Sequence, residues 1–258
     1  MMKLILILTT LIFAHMTQAQ VILIDPGHGG DEFGAQTKMH TGHGHVQIRE
    51  KDLALDVAKR IRNLLYNDFR VFMTRSNDRT LTLQERARFA ELVNAQLFIS
   101  IHVNSAEDSE SVGFETYFLN NKKNAAVKKV EDVENISMDI SPEVHHILTD
   151  LVVQRTVDSS QELAEKVHSR LSSSLSKKFG MKDRGVKPGL FYVLALSKIP
   201  GLLLEIGFMS NPDELKKLMT EEFRQEYAEK VVQGIKDYFK DQQKNRESLA
   251  LRKTKSRS

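Results

Sequence analysis

Apolar residues in this chain follow two patterns in alternation. Solid runs, β-branched in part, stand at residues 21–24, 97–103 and 202–208, and stretches of helical periodicity stand between them. A run of that length closed by turn residues reads as a strand buried on both faces, the kind found in parallel sheets. After Arg49-Glu50-Lys51-Asp52, residues Leu53, Val57, Ile61, Leu64 and Leu65 recur at helical spacing, and Leu83, Ala87, Ala90 and Leu92 mark a second helix over 81–93. Residues 70–75 predict another strand with Ser76-Asn77-Asp78-Arg79 as its turn. Residues 113–119 alternate and predict a less central one. Strand and helix in alternation predict a single α/β domain, with no internal repeat and no second folded unit.

The second half is less regular. Residues 120–159 are charged and largely helical and read as an insertion. A helix over 160–179 follows and ends at Gly180, a C-cap. The pattern then predicts a loop over 184–189, a strand over 190–194, a turn at Ile199-Pro200-Gly201 and the buried strand 202–208. Asn211 caps a short helix whose first position is Pro212. A final helix covers 221–239, and the polar, basic stretch 241–258 predicts a disordered tail. Residues 31–48, rich in Gly and His and without periodicity, predict a loop.

Composition narrows the chemistry. A net charge of +3 over 258 residues calls for no nucleic-acid partner. The absence of cysteine excludes disulfides and thiolate ligands, so a metal must be held by His, Asp or Glu. Residues 1–19 have the form of a signal peptide: Lys3, an apolar stretch over 4–16, and a Thr17-Gln18-Ala19 cleavage site. The stretch is short for a membrane span, and no cysteine follows it to take a lipid. A periplasmic or secreted protein is expected, its mature chain starting near Gln20 without a transmembrane segment.

Two strands end on a histidine. His28 follows the first, in a loop where Gly27, Gly29 and Gly30 let the backbone approach closely; His102 closes the run at 97–104. Both then lie at the strand-end edge where open α/β sheets place their ligands. Glu50 stands in the first turn of its helix, favoured there by the dipole and placed to face the same crevice. His40, His43 and His45 have no scaffold in a loop reading and are assigned to the surface. Glu205 interrupts an apolar strand, where an ionised carboxylate is costly unless paired. Arg184 or Lys187 could pair with it. Alternatively it belongs beside a metal held by His, Glu and His, a set that leaves one tetrahedral position open, as hydrolytic zinc sites do. An acid whose pKa is raised by its apolar strand suits proton transfer there. Asp25, Ser100 and Asn104 are placed to support ligands or substrate.

The segments 24–30, Glu50 with its helix, Thr74-Arg75 with Asp78-Arg79, 100–104 and 204–211 together resemble the zinc-dependent N-acetylmuramoyl-L-alanine amidases of bacterial cell-wall cleavage. The resemblance runs from Val21 to about Phe239, with Ile206 where many relatives have Thr. It implies zinc ligands His28, Glu50 and His102, a catalytic Glu205, and a mixed, mostly parallel sheet of about six strands with helices on both faces. The implied reaction cuts the amide between N-acetylmuramic acid and the L-alanine of the peptidoglycan stem peptide. Two other readings stay open: a catalytically silent, metal-dependent wall-binding scaffold on the same fold, and a zinc peptidase of free peptides. Manganese or cobalt also stays open as the ion.

The insertion has its own likeness. A helix over 125–135 puts Glu131 and Glu134 on one face, and Val144, Ile147, Leu148, Leu151 and Val152 form an apolar stripe. The segment resembles the inhibitory insertion of division-associated amidases, where one helix sets a glutamate at the zinc's open position and an adjoining helix meets an activator protein. Glu134 best matches the blocking residue, with Glu131 as the alternative. The resemblance implies an autoinhibited enzyme whose activator binds the insertion 120–159.

Overall fold

The apolar runs at 21–24, 97–103 and 202–208 lie side by side at the centre of a six-stranded sheet. The computed structural model describes residues 20–42, 44–122, 125, 127–135 and 142–255. The expected signal peptide 1–19, His43 and the side chains of Val144, Ile147 and Leu148 lie outside the described residues. In chain order the elements are β1 (Val21–Pro26), β2 (Gln36–Thr41), β3 (Gly44–Arg49), α1 (Glu50–Leu65), β4 (Arg70–Met73), α2 (Leu83–Leu92), β5 (Leu97–Asn104) and β6 (Phe114–Leu119). They continue with α3 (Lys128–Glu134), α4 (Pro142–Phe179), β7 (Asp183–Gly189), α5 (Tyr192–Ser197), β8 (Gly201–Phe208), α6 (Pro212–Leu218) and α7 (Glu221–Lys255).

The sheet order is β4-β1-β5-β8-β6-β7, parallel throughout except where β6 runs antiparallel to β8. Helices cover both faces, as expected. On one face Ile61 of α1, Leu163, Val167 and Leu171 of α4, and Tyr227 and Val231 of α7 close over Ile24, Ile101 and Leu204. On the other, Ala90 of α2 and Val193 and Leu194 of α5 close over Leu23, Phe98 and Leu203. Double coverage explains why β1, β5 and β8 read as unbroken apolar runs: every residue in them is buried.

Five segments depart from the sequence reading. Residues 36–41 and 44–49 pair as the β2–β3 hairpin, not a loop; β3 buries only Ile48, so no period-two pattern appears. Residues 183–189 form β7, an edge strand paired with β6 alone, where Pro188 and Gly185 are tolerated. The expected strand 190–194 becomes the start of α5, whose apolar residues are too few to show a helical period. There is no break at residue 159: α4 runs unbroken through the second half of the insertion into the core. Finally, α7 continues to Lys255 through strong helix formers instead of giving way to disorder at 241. Lys166 Nζ to Asp241 at 2.6 Å and Gln242 Nε2 to Glu162 at 2.8 Å tie the start of this extension to α4. Among the described residues, no helix is long and apolar enough to cross a membrane.

Leu204 is fully buried on the central strand β8, so Leu204→Ala should cost about 2–5 kcal/mol in denaturant unfolding. A change below about 1 kcal/mol would show that this layer is not tightly packed.

Candidate metal centre

His28 is delivered by β1, which ends against β5 with Gly27 N–H donating to Ile101 O at 2.9 Å. Past the ladder the chain turns sharply, His28 itself taking φ of 55°. A turn of this kind leaves carbonyls without partners, and two buried guanidiniums answer them. Arg75 donates to Pro26 O at 3.0 Å, Gly27 O at 2.7 Å and Lys51 O at 2.9 Å. Arg86 donates to Pro26 O at 2.8 Å and His28 O at 2.7 Å, and pairs with Asp25 at 2.8 Å. Asp25 also accepts from Thr74 at 2.6 Å and Ser100 at 2.9 Å. Asp25 and Ser100 thus meet beneath the loop, where Asp25 anchors Arg86. Gly27 is required for space: a side chain there would run into the His102 ring.

Glu50 bridges the two histidines. Its Oε2 lies 3.2 Å from His28 Nε2 and its Oε1 3.2 Å from His102 Nδ1. Backbone N–H groups of Ala35, at 2.8 Å, and Val103, at 2.9 Å, orient the same two oxygens. Gly34, at φ of 64°, passes so close to Glu50 and His28 that no other residue fits. Burial pushes the Glu50 carboxyl up, but the His28 and His102 rings outweigh it and hold the acid well below the usual carboxylate range. Burial likewise disfavours a charged His102, yet Glu134 and Glu50 raise it well above 6.5.

The fourth member is Glu134, at the end of α3, with Oε2 2.7 Å from His102 Nδ1 and 3.7 Å from His28 Nε2. Candidate ligand atoms of His28, Glu50, His102 and Glu134 all lie within 4.8 Å of one another. His28 Nε2 is buried with no hydrogen bond among the described residues, as befits a nitrogen aimed at a cation. The set could hold a divalent ion. Helix α3 is clipped in place by its neighbours: Glu131 accepts from Leu190 N–H at 2.7 Å, and Asn135 donates to Leu190 O at 2.7 Å and accepts from Tyr192 N–H at 2.9 Å. Glu131 is therefore engaged away from the cluster, while Glu134 faces it. A cavity of about 260 Å³ opens over the group, walled by Leu83, Val133, Phe191 and Val193.

Glu205 stands in register with His102 on the neighbouring strand and is 1% exposed. Its Oε2 has no hydrogen-bond partner among the described residues, and burial, followed by the Glu134 carboxylate, pushes its pKa well above 4.5. Arg184 and Lys187 do not pair with it. They pair with Glu115, which faces Glu205 across the β6–β8 ladder and also takes the Tyr117 hydroxyl. Asn104 is buried, and its Nδ2 has no hydrogen-bond partner among the described residues. Sequence reasoning missed Arg86, Gly34, Glu115 and Asn135. Arg86 had a signal, since it falls on the Leu83, Ala87 and Ala90 face of α2 where a charge must find a buried partner.

Because Arg86 and the Thr74 hydroxyl outweigh burial, Asp25 is held below its ordinary 3.8. A depressed carboxyl contributes stability above its unfolded pKa and loses it as pH falls through the lower folded value. Asp25→Asn should cost about 3–5 kcal/mol near neutral pH by leaving Arg86 unpaired. That difference should shrink as the pH drops below 3.8, read by denaturant unfolding; a pH-independent difference would refute the pairing.

The family model for N-acetylmuramoyl-L-alanine amidase matches residues 22–237. The chain is 34% identical to the amidase AmiC of Escherichia coli over 232 residues, 86% of this chain and 53% of that protein, so it spans about half of that relative's length. It is 30% identical to Escherichia coli AmiA over 233 residues, 85% of this chain and 76% of that protein. The crystal structure of an N-acetylmuramoyl-L-alanine amidase from Clostridium difficile 630 matches with a TM-score of 0.64 at 29% identity, covering 86% of this chain and 97% of that one. With a match that runs from β1 into α7 and spans the whole His–Glu–His–Glu cluster, the chain belongs to the N-acetylmuramoyl-L-alanine amidase family.

Proposed function

We propose that this protein is a zinc hydrolase of peptidoglycan, cutting the amide between N-acetylmuramic acid and the L-alanine of the stem peptide, and that α3 holds it in a weakly active state. The carrying observation is the convergence of His28, Glu50, His102 and Glu134 within 4.8 Å, with Glu205 buried in the next strand. His28, Glu50 and His102 would hold the ion, in a donor set of two imidazoles and one carboxylate that suits zinc. When bound, zinc polarises the scissile carbonyl and lowers the pKa of a water.

The chain's own residues do the rest. Arg75 and Arg86 fix the backbone that presents His28, and the Ala35 and Val103 amides aim the two oxygens of Glu50. Glu205 takes the proton of the attacking water and passes it to the leaving amine. Its raised pKa makes it a stronger base and then a ready acid near neutral pH. Glu134 puts a carboxylate on the two histidine nitrogens and so competes with water and substrate for that position. The bonds from Glu131 and Asn135 to the segment before α5 hold the block in place and must break for α3 to leave.

In this reading an activator protein binds the insertion 120–159 and draws α3 away. Leu151 of the expected stripe is 55% exposed and available for that contact, whereas Val152 is packed into the core. The site of action is periplasmic or secreted, where peptidoglycan lies.

The test is release of new L-alanine amino termini from purified peptidoglycan, combined with metal analysis. At this centre, His102→Ala should hold less than half the wild-type zinc. Glu205→Gln should keep its zinc and lose turnover by roughly 10²–10⁴-fold. A zinc-replete Glu134→Ala variant without hydrolysis would favour the silent scaffold, and release only from free peptides would favour a peptidase. Glu134→Ala should raise basal hydrolysis; a folded, zinc-loaded variant no faster than wild type would refute the inhibitory role.

A further inference from the structure

The histidines of the β2–β3 hairpin belong to no part of the centre described above. His40 and His45 are directly opposed on the two antiparallel strands, with ring centroids 4.9 Å apart and planes at 60°. Both side chains are exposed, so neither serves the core. A loop would have given these rings no fixed relation; the ladder does, since directly opposed residues have Cβ atoms about 4.5–5.5 Å apart. Two imidazoles bound to one ion at about 2.0–2.1 Å, with an angle between square and tetrahedral, have centroids roughly 4.5–5.2 Å apart. The observed spacing lies inside that range.

We propose that His40 and His45 form a second, surface site for a borderline transition-metal dication such as zinc, nickel or copper, with water completing the coordination. Imidazole is the ligand these ions prefer, and both rings are already in solvent, so binding requires no buried charge. The site would lie beside the turn of a ladder whose open end leads to Glu50. Gln36 pairs with Arg49 there, Ala35 N–H donates to Glu50 Oε2 at 2.8 Å, and Glu50 N–H donates to Ala35 O at 2.9 Å. An ion across His40 and His45 therefore fixes the register of the hairpin that delivers Glu50.

Equilibrium dialysis of the full-length, untagged protein against zinc, read by metal analysis, tests this. Wild type should take two equivalents. His40→Ala and His45→Ala should each keep one and bind the second roughly 10²-fold more weakly, because chelation by two tethered groups becomes binding by one. His102→Ala should show the reverse, retaining the hairpin ion, which separates failure at the hairpin from failure at the centre proposed for catalysis. In the wild type, the Cε1–H resonances of His40 and His45 should shift together with the hairpin equivalent. Zinc binding that is unchanged from wild type in His40→Ala and His45→Ala, whatever the centre holds, would overturn the proposal.

Discussion

The buried cations under the end of β1 are the constraint from which the rest follows. A strand that stops in a tight loop inside the protein leaves carbonyls facing inward, and those of Pro26, Gly27 and His28 would be costly without donors. Arg75 and Arg86 supply every one of them, and Asp25 neutralises part of their charge. The arrangement is electrically tense: burial and the neighbouring Arg86 bring Arg75 down to about 10. The return is a rigid loop. His28 is held at a left-handed backbone position with its ring against Glu50 and His102 instead of swinging in solvent.

Glu50 is the second joint, and it links three separate parts of the chain. Its oxygens meet two histidines from different strands and two amides, one at the start of the β2–β3 hairpin and one on β5. A carboxylate gripped in this way stays ionised despite complete burial, because the two histidines outweigh desolvation. Glu205 experiences the opposite balance. Among the described residues it has no donor on Oε2, and burial and neighbouring carboxylates push it upward. Two buried glutamates of one site are thus driven in opposite directions, one held as an anion and the other pushed toward its neutral form.

Much of this was legible from residue order because the informative positions obey local rules. The runs around Ile22, Ile99 and Leu203 could only be strands buried on both faces, and histidines at the ends of two parallel strands must share an edge. Asn211 with Pro212 marks a helix start by hydrogen bonds made within one turn. Where nothing is buried, as in β2 and β3, or where a helix is as short as α5, the period that reports structure is absent and the reading failed.

Sequence by itself therefore determined the central strands, the helices that cover them, and which histidines and glutamates reach the sheet edge, since burial periodicity and chain direction are properties of neighbouring residues. Tertiary structure decided the partners. Arg184 and Lys187 pair with Glu115 and not with Glu205; Glu131 is spent on the Leu190 amide while Glu134 faces the histidines; and His40 and His45 meet across a ladder. Each of these choices depends on side chains far apart in sequence or on a strand register that no local pattern encodes. Charge pairing acts over a few ångströms in space, and only the folded chain sets which groups come within that reach.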